Sequence, residues 1–131
     1  MTTDLTPPTA DAGTDGAIDC TVSTAALTAT GGGTYSWVAS GGGNITTGAN
    51  SATMTGNAAG TYTVTVTGAN GCTDTDVAVI TSNVTVPTAD AGLDQTLDCN
   101  NATVNMTATG GGTYAWVASG GGNITTSASS A

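Results

Sequence analysis

The chain has 131 residues, nine aspartates and a formal net charge of −9, and it contains no Lys, Arg, His or Glu. Nucleic-acid backbones and anionic membranes are bound through Lys and Arg, so the composition argues against both partners, and no apolar run is long enough to insert into a bilayer. General acid–base groups other than Asp are missing, and a serine–histidine triad cannot be built, so the sequence predicts a protein that is not an enzyme.

Short stretches in which Thr alternates with apolar residues recur along the chain, separated by turns rich in Gly and Asn. Alternation with a period of two is typical of strands with one buried face. Seven such strands in about 80 residues predict an all-β fold, a sandwich of two sheets. The predicted strands are residues 16–20, 25–31, 34–40, 44–48, 51–56, 61–67 and 75–81.

The sequence repeats with a period of 79 residues. Residues 87–131 match residues 8–52 at 32 of 45 positions, whereas residues 53–86 have no counterpart within the chain. Repeats this similar usually come from arrays. We therefore divide the chain into an N-terminal extension or linker (1–7), a complete repeat (8–86) and a partial second repeat that lacks its last strands (87–131).

Two stretches, AGTYTVTVTGANGCTDTD (59–76) and TATGGGTYSW (28–37), together with an upstream cysteine at position 20, carry a family resemblance. They resemble the SprB-type repeat of giant surface adhesins of gliding Bacteroidetes, which is similar to other PKD-like and immunoglobulin-like bacterial repeats. The resemblance covers about residues 8–131. It implies tandem PKD-like β-sandwich repeats in an extracellular, cell-surface protein that is exported by type IX secretion.

Five large side chains are the predicted core residues. Trp37 and Tyr62 are placed like the core tryptophan and the corner tyrosine of immunoglobulin-like sandwiches. Val64 and Val66 lie on the same strand face as Tyr62, and Trp116 is the counterpart of Trp37 in the second repeat. The alternative is that Trp37 or Trp116 is exposed and stacks on a carbohydrate.

Three cysteines leave one without a partner inside the chain, which in an exported protein indicates a partner outside it. We expect Cys20 to pair with Cys72 in the complete repeat, and Cys99 to pair with a cysteine outside this chain. A disulfide that closes a loop of roughly 50 residues stabilises a domain by about 4 kcal/mol in the chain-entropy model. A disulfide between units or subunits and free thiols remain alternatives, whereas no His or Lys is present to activate a catalytic cysteine.

Pairs of aspartates are the candidate metal ligands. Calcium binds clustered oxygen atoms, including Asp carboxylates and backbone carbonyls. The alternative is that these aspartates are solvated turn residues that bind local backbone groups, in which case no cofactor is needed. The six candidate calcium ligands are Asp11, Asp15, Asp74, Asp76, Asp90 and Asp94.

Three functions fit these observations. The first is a structural or adhesive repeat of an extracellular bacterial surface fibre, which acts as a stalk or as the contact surface in adhesion or gliding, with neighbouring repeats as its partners. The second is a self-assembling filament subunit, in which a neighbouring identical chain supplies the missing strands by strand addition. The third is a carbohydrate-binding module that recognises surface glycans.

Overall fold

The computed structural model describes residues 2–131, which divide into two compact units. The first unit ends at Thr85, and the second comprises Val86–Ala131. Every strand among the described residues lies in the first unit.

The first unit is a sandwich of two β-sheets, so the predicted all-β fold is confirmed. Its strands are β1 (Gly16–Asp19), β2 (Ala25–Thr28), β3 (Thr34–Ser40), β4 (Ile45–Thr47), β5 (Thr53–Gly56), β6 (Gly60–Thr67) and β7 (Thr73–Asn83). One sheet has the strand order β1–β7–β6–β3, and the other has the order β2–β5–β4.

Strand β6 is one of the two inner strands of the larger sheet, because it pairs antiparallel with β3 on one side and with β7 on the other. Thr and Val have branched side chains that fit a pleated surface, so this sequence favours a strand. Tyr62, Val64 and Val66 are completely buried, while the threonines between them are half-buried. The alternation of β6 thus supplies three inward side chains from eight residues.

Strand β1 pairs with β7 in parallel, with Gly16 opposite Ile80 and Asp19 opposite Asn83. The first and last strands therefore run in the same direction, and the chain enters and leaves the unit at opposite ends. We call the end near the β6–β7 turn, residues 68–72, the proximal end. The end where β1 and β7 finish is the distal end.

Strand β2 is shorter than the predicted 25–31. It ends at Thr28 because the chain then changes its hydrogen-bonding partner. Thr30 and Asp11 exchange both backbone hydrogen bonds, at 2.9 and 3.1 Å. The segment that precedes β1 is thereby attached to the smaller sheet, although β1 itself belongs to the larger one.

The core lies between the two sheets and is small. Burial of each large aliphatic side chain contributes about 1.5–3 kcal/mol to folding. Because only a few large side chains are buried here, each one accounts for a considerable part of the stability of this unit. The buried residues are Ala12, Ile18, Leu27, Ala29, Trp37, Met54, Tyr62, Val64, Val66, Ala78 and Ile80.

The Tyr62 hydroxyl joins the core to the backbone of the loops around it. It donates a hydrogen bond to the carbonyl of Ala58 at 2.6 Å and accepts one from the backbone N–H of Asn44 at 2.9 Å. The ring leaves no room for a side chain at Gly56, where a Cβ atom would lie 2.7 Å from the hydroxyl oxygen. The Tyr62 hydroxyl is thus satisfied as donor and as acceptor, although its side chain is completely buried.

The second unit keeps local turns of the first unit but forms no strand within Val86–Ala131. Asp90 and Thr109 form the same isolated bridge as their counterparts 79 residues earlier. The backbone N–H of Trp116 donates to the carbonyl of Ala128 at 2.8 Å, again as in the first unit. A strand needs a hydrogen-bonded neighbour, and this unit contains no counterpart of β6 or β7 to provide one.

Replacing Tyr62 with phenylalanine should lower the free energy of unfolding by about 1–3 kcal/mol, because the Asn44 N–H and the Ala58 carbonyl lose their buried partner. Urea unfolding of the full chain, followed by circular dichroism, measures this loss. Tyr35→Phe is the matched control, since the Tyr35 ring is only half-buried. Equal losses in the two variants would contradict the role of the Tyr62 hydroxyl.

Candidate functional site

Two carboxylates of β7 hold the segment that precedes β1. The Oδ2 atom of Asp74 accepts a hydrogen bond from the backbone N–H of Ala10 at 2.8 Å. The Oδ2 atom of Asp76 accepts one from the backbone N–H of Ala12, also at 2.8 Å. The two carboxylates thus bind backbone N–H groups that would otherwise need a neighbouring strand. Ala12, which donates one of these hydrogen bonds, is completely buried.

Asp15 makes the equivalent contact in the opposite direction. Asp15 lies one residue before β1 begins. Its Oδ1 atom accepts a hydrogen bond from the backbone N–H of Val79 in β7 at 2.9 Å. The segment from residue 10 to residue 19 is therefore attached to β7 throughout, first by carboxylates and then by the parallel pairing of β1.

The hydrogen bond from the Ala12 N–H, together with a smaller contribution from the Val77 N–H, holds the pKa of the Asp76 carboxyl below its ordinary value of 3.8. Partial burial acts in the opposite direction but is the weaker effect. Asp76 is consequently ionised at neutral pH. Hydrogen bonds to an ionised acceptor are stronger than those between neutral groups.

The remaining candidate calcium ligands differ, because they bind the backbone of a nearby residue or are exposed. Asp11 accepts a hydrogen bond from the Gly13 N–H at 2.7 Å, and Asp90 accepts one from the Gly92 N–H at 2.8 Å. Asp94 is exposed. Among residues 2–131, no three or more acidic, Cys or His side chains are grouped so that they could hold a metal ion. Calcium binding thus stays a prediction from the sequence.

In this structure Cys20, Cys72 and Cys99 are free thiols, so the predicted disulfide between Cys20 and Cys72 is not present here. Cys20 follows the last residue of β1 at the distal end, whereas Cys72 precedes β7 at the proximal end. With a rise of about 3.3 Å per residue, the two ends of β7 lie roughly 33 Å apart. A disulfide needs Cα atoms within about 7 Å, so the parallel pairing of β1 with β7 keeps these cysteines apart.

The two tryptophans have different environments. Trp37 is 3% exposed and donates its indole N–H to the carbonyl of Ser51 at 3.0 Å. Trp116 repeats this bond with Ser130 at 2.8 Å, but its ring is only half-buried. Trp116 is therefore less buried than Trp37, because no strand within Val86–Ala131 covers it, and its place in a core stays a prediction.

A groove of about 580 Å³ lies beside Trp116 in the second unit. In the first unit, the counterparts of its apolar residues pack in or against the core. In the second unit these side chains line the open groove instead. The apolar residues in question are Val104, Met106, Trp116 and Ile124.

The carboxylates of Asp74, Asp76 and Asp15 bind backbone N–H groups, so their observed role is to hold chain segments together. The hydrogen-bonding role of Asp74 and Asp76 was missed by the sequence reasoning, although a signal existed. Both aspartates share the strand face of Ala78 and Ile80, which points into the core. An inward carboxylate must find hydrogen-bond donors, so this parity could have indicated a tertiary contact.

Among residues 2–131, the structure contains no helix that could cross a membrane.

Comparison with protein-family models gives a match to the PKD-like domain over residues 9–84. This match spans the seven strands of the first unit and more than half of the chain. Neither the curated proteins nor the solved structures include a significant match to the chain.

Changing Asp76 to asparagine should reduce the dependence of stability on acid pH. Because the folded-state pKa of Asp76 is lowered, its ionised form stabilises the fold above the ordinary value of 3.8. That contribution is lost as the pH falls through the lowered value.

Urea unfolding at neutral pH and near the acid limit measures the effect of Asp76→Asn. The variant should be less stable than the wild type at neutral pH, and the difference should shrink in acid. Asp94→Asn is the control, since this carboxylate is exposed and lies in the second unit. A difference for Asp76→Asn that does not change with pH would contradict the role of its charge.

Acrylamide should quench the fluorescence of Trp116 several times more strongly than that of Trp37, because Trp37 is buried and Trp116 is half-buried. Trp116→Phe isolates the emission of Trp37, and Trp37→Phe isolates that of Trp116. Circular dichroism of both variants checks that the strands remain. Similar quenching of the two residues would contradict the different packing of the two units.

Proposed function

Because the chain belongs to the PKD-like domain family, we propose that it is a non-catalytic structural repeat of an extracellular bacterial surface fibre. PKD-like domains of the immunoglobulin type generally act as structural extracellular repeats and are generally not enzymes. The complete unit is then one building block of the fibre.

The repetition of sequence and turns supports this proposal most directly. The second unit matches the first at 32 of 45 aligned positions. It also retains equivalent backbone hydrogen bonds, such as the one from the Trp116 N–H to the Ala128 carbonyl. A single-domain binding protein has no need for a second copy of the same scaffold, whereas a fibre is lengthened by each copy.

The finer assignment rests on the resemblance of residues 28–37 and 59–76 to SprB-type repeats. On this basis the parent protein is a giant adhesin of a gliding member of the Bacteroidetes, exported by type IX secretion, with the repeat as stalk or contact surface. The composition supports an extracellular location, because a chain without Lys or Arg contains no trypsin site. Its net charge of −9 favours solubility.

A filament subunit completed by a neighbouring chain is the second candidate. The groove beside Trp116 favours it, because apolar side chains whose counterparts are covered in the first unit line an open surface. A segment with the sequence pattern of β5 to β7 would fit there by strand addition, as it does in the complete unit. Identical chains are the partners in this case.

Carbohydrate binding is the third candidate, and Trp37 supports it less than Trp116 does. Its ring is 3% exposed and offers no free face on which a sugar could stack. Trp116 retains a partly exposed ring, so glycan binding by the second unit is tested by adding surface glycans to the full chain and following Trp116 emission.

The intact mass of the native protein, measured under denaturing conditions before and after reduction, tests the proposed function. We expect a mass far above the 12.4 kDa of this chain that survives reduction, together with antibody labelling of intact, unpermeabilised cells. A reduced mass near that of the chain would sink the fibre-repeat proposal and favour the filament subunit. Labelling only after permeabilisation would contradict an extracellular location.

A further inference from the structure

The two cysteines of the complete unit lie at its opposite ends, Cys20 at the distal end and Cys72 at the proximal end. We propose that Cys20 of one complete unit forms a disulfide with Cys72 of another copy, so that units are joined end to end. The partner is thus a second copy of the same fold, and the interface is heterologous. Such contacts continue into a filament unless a ring closes.

The pairing of strands excludes the alternative within one unit. Residues 10–19 follow β7 along its whole length, from the contact of Ala10 with Asp74 to the pairing of Asp19 with Asn83. The separation of roughly 33 Å between the ends of β7 is several times the limit of about 7 Å for a disulfide. Bringing Cys20 to Cys72 would require the removal of β1 from the sheet.

Cys20 is presented by a tight turn at the distal end. The backbone N–H of Asp19 donates to the Val22 carbonyl at 2.8 Å, and the Asp19 side chain accepts the N–H groups of Thr21 and Val22. Cys20 lies within this turn and is exposed. Its thiol is therefore accessible to a second molecule without unfolding.

Cys72 closes the β6–β7 turn at the proximal end. Its carbonyl accepts a hydrogen bond from the Gly68 N–H at 2.8 Å, and its own N–H donates to the Asn70 side chain at 3.0 Å. The Asn70 amide also donates to the carbonyl of Thr6 at 2.9 Å, which holds the incoming chain at this end. Cys72 is partly exposed and so retains access for a partner thiol.

The second repeat independently reproduces the distal cysteine. Cys99 is the counterpart of Cys20 and is also exposed. Asp98 holds its turn as Asp19 does in the first unit, by accepting the N–H of Asn101 at 2.8 Å. The chain thus carries one proximal thiol, Cys72, and two thiols of the distal type, which are the complementary partners that end-to-end pairing needs.

Formation of the bond requires an oxidant, and a small-molecule disulfide such as oxidised glutathione supplies it. One protein thiolate attacks a sulfur of the small disulfide, which releases one small thiol and leaves a mixed disulfide on the protein. The thiolate of the partner unit then attacks the protein sulfur and expels the second small thiol. Two protein thiols and one small disulfide thus give one protein disulfide and two small thiols.

This proposal deepens the proposed function, because it rests on the assignment of the unit as a stacked building block. The two nevertheless fail separately. If end-to-end pairing fails, the reduced mass and the surface location of the native protein are unchanged, so the fibre proposal stands. If the native protein is small and intracellular, the fibre proposal fails, but the positions of the two thiols at opposite ends of the unit are unaffected.

Mixing two full-length variants tests the pairing. One chain carries Cys72 alone, through Cys20→Ser and Cys99→Ser, and the other carries Cys20 alone, through Cys72→Ser and Cys99→Ser. One chain is isotope-labelled, so that mass spectrometry distinguishes the heterodimer from both homodimers after oxidation with glutathione disulfide. The same mixture oxidised in concentrated urea is the control, since unfolded chains pair at random and the heterodimer then equals the sum of the homodimers.

We expect the folded mixture to give a severalfold excess of the heterodimer over the sum of the homodimers, and the unfolded mixture to show no excess. A random distribution in the folded mixture would overturn the proposal, and so would a monomeric Cys99→Ser chain with an internal Cys20–Cys72 disulfide. Circular dichroism checks that each variant is folded. Alanine replaces serine in any variant that has lost its strand signal.

Discussion

The alignment of residues 10–19 with β7 is the contact on which the rest of the unit depends. This segment touches both sheets, because Asp11 exchanges backbone hydrogen bonds with Thr30 while its neighbours bind the carboxylates of β7. It then continues into β1, which adds Ile18 to the core. The sandwich is therefore closed along one edge by a single segment, whose direction also places the two cysteines of the unit at opposite ends.

Local patterns predicted the strands well, since alternation of apolar and polar residues is a property of each strand itself. The bounds predicted for β3 agree with the structure, and the inward residues of β6 follow from parity alone. The position of Cys20 relative to Cys72 could not be predicted in this way. It depends on the parallel pairing of β1 with β7, a contact between segments about 64 positions apart that no local pattern records.

The second unit shows which features of this sequence are local and which need distant partners. The turn held by Asp98 and the bridge of Asp90 with Thr109 are present without any neighbouring strand. Ser127 even adopts a φ of 57°, at the position where the first unit has Gly48. Burial behaves differently, because the core that contains Trp37 also needs residues of β5, β6 and β7, which lie later in the sequence. The same residue in the second repeat, Trp116, therefore remains partly exposed.

The parallel pairing of β1 and β7 also determines how the unit responds to mechanical force. When the chain is stretched from its two ends, the load enters at the proximal end on one side of this pair and leaves at the distal end on the other. The bonds from Gly16–Ile80 to Asp19–Asn83 are then loaded in shear, all together, and are not opened one after another as in a zipper. The contacts of Asp74 and Asp76 lie along the same seam and share that load, so the two carboxylates reinforce the part of the unit where rupture would begin.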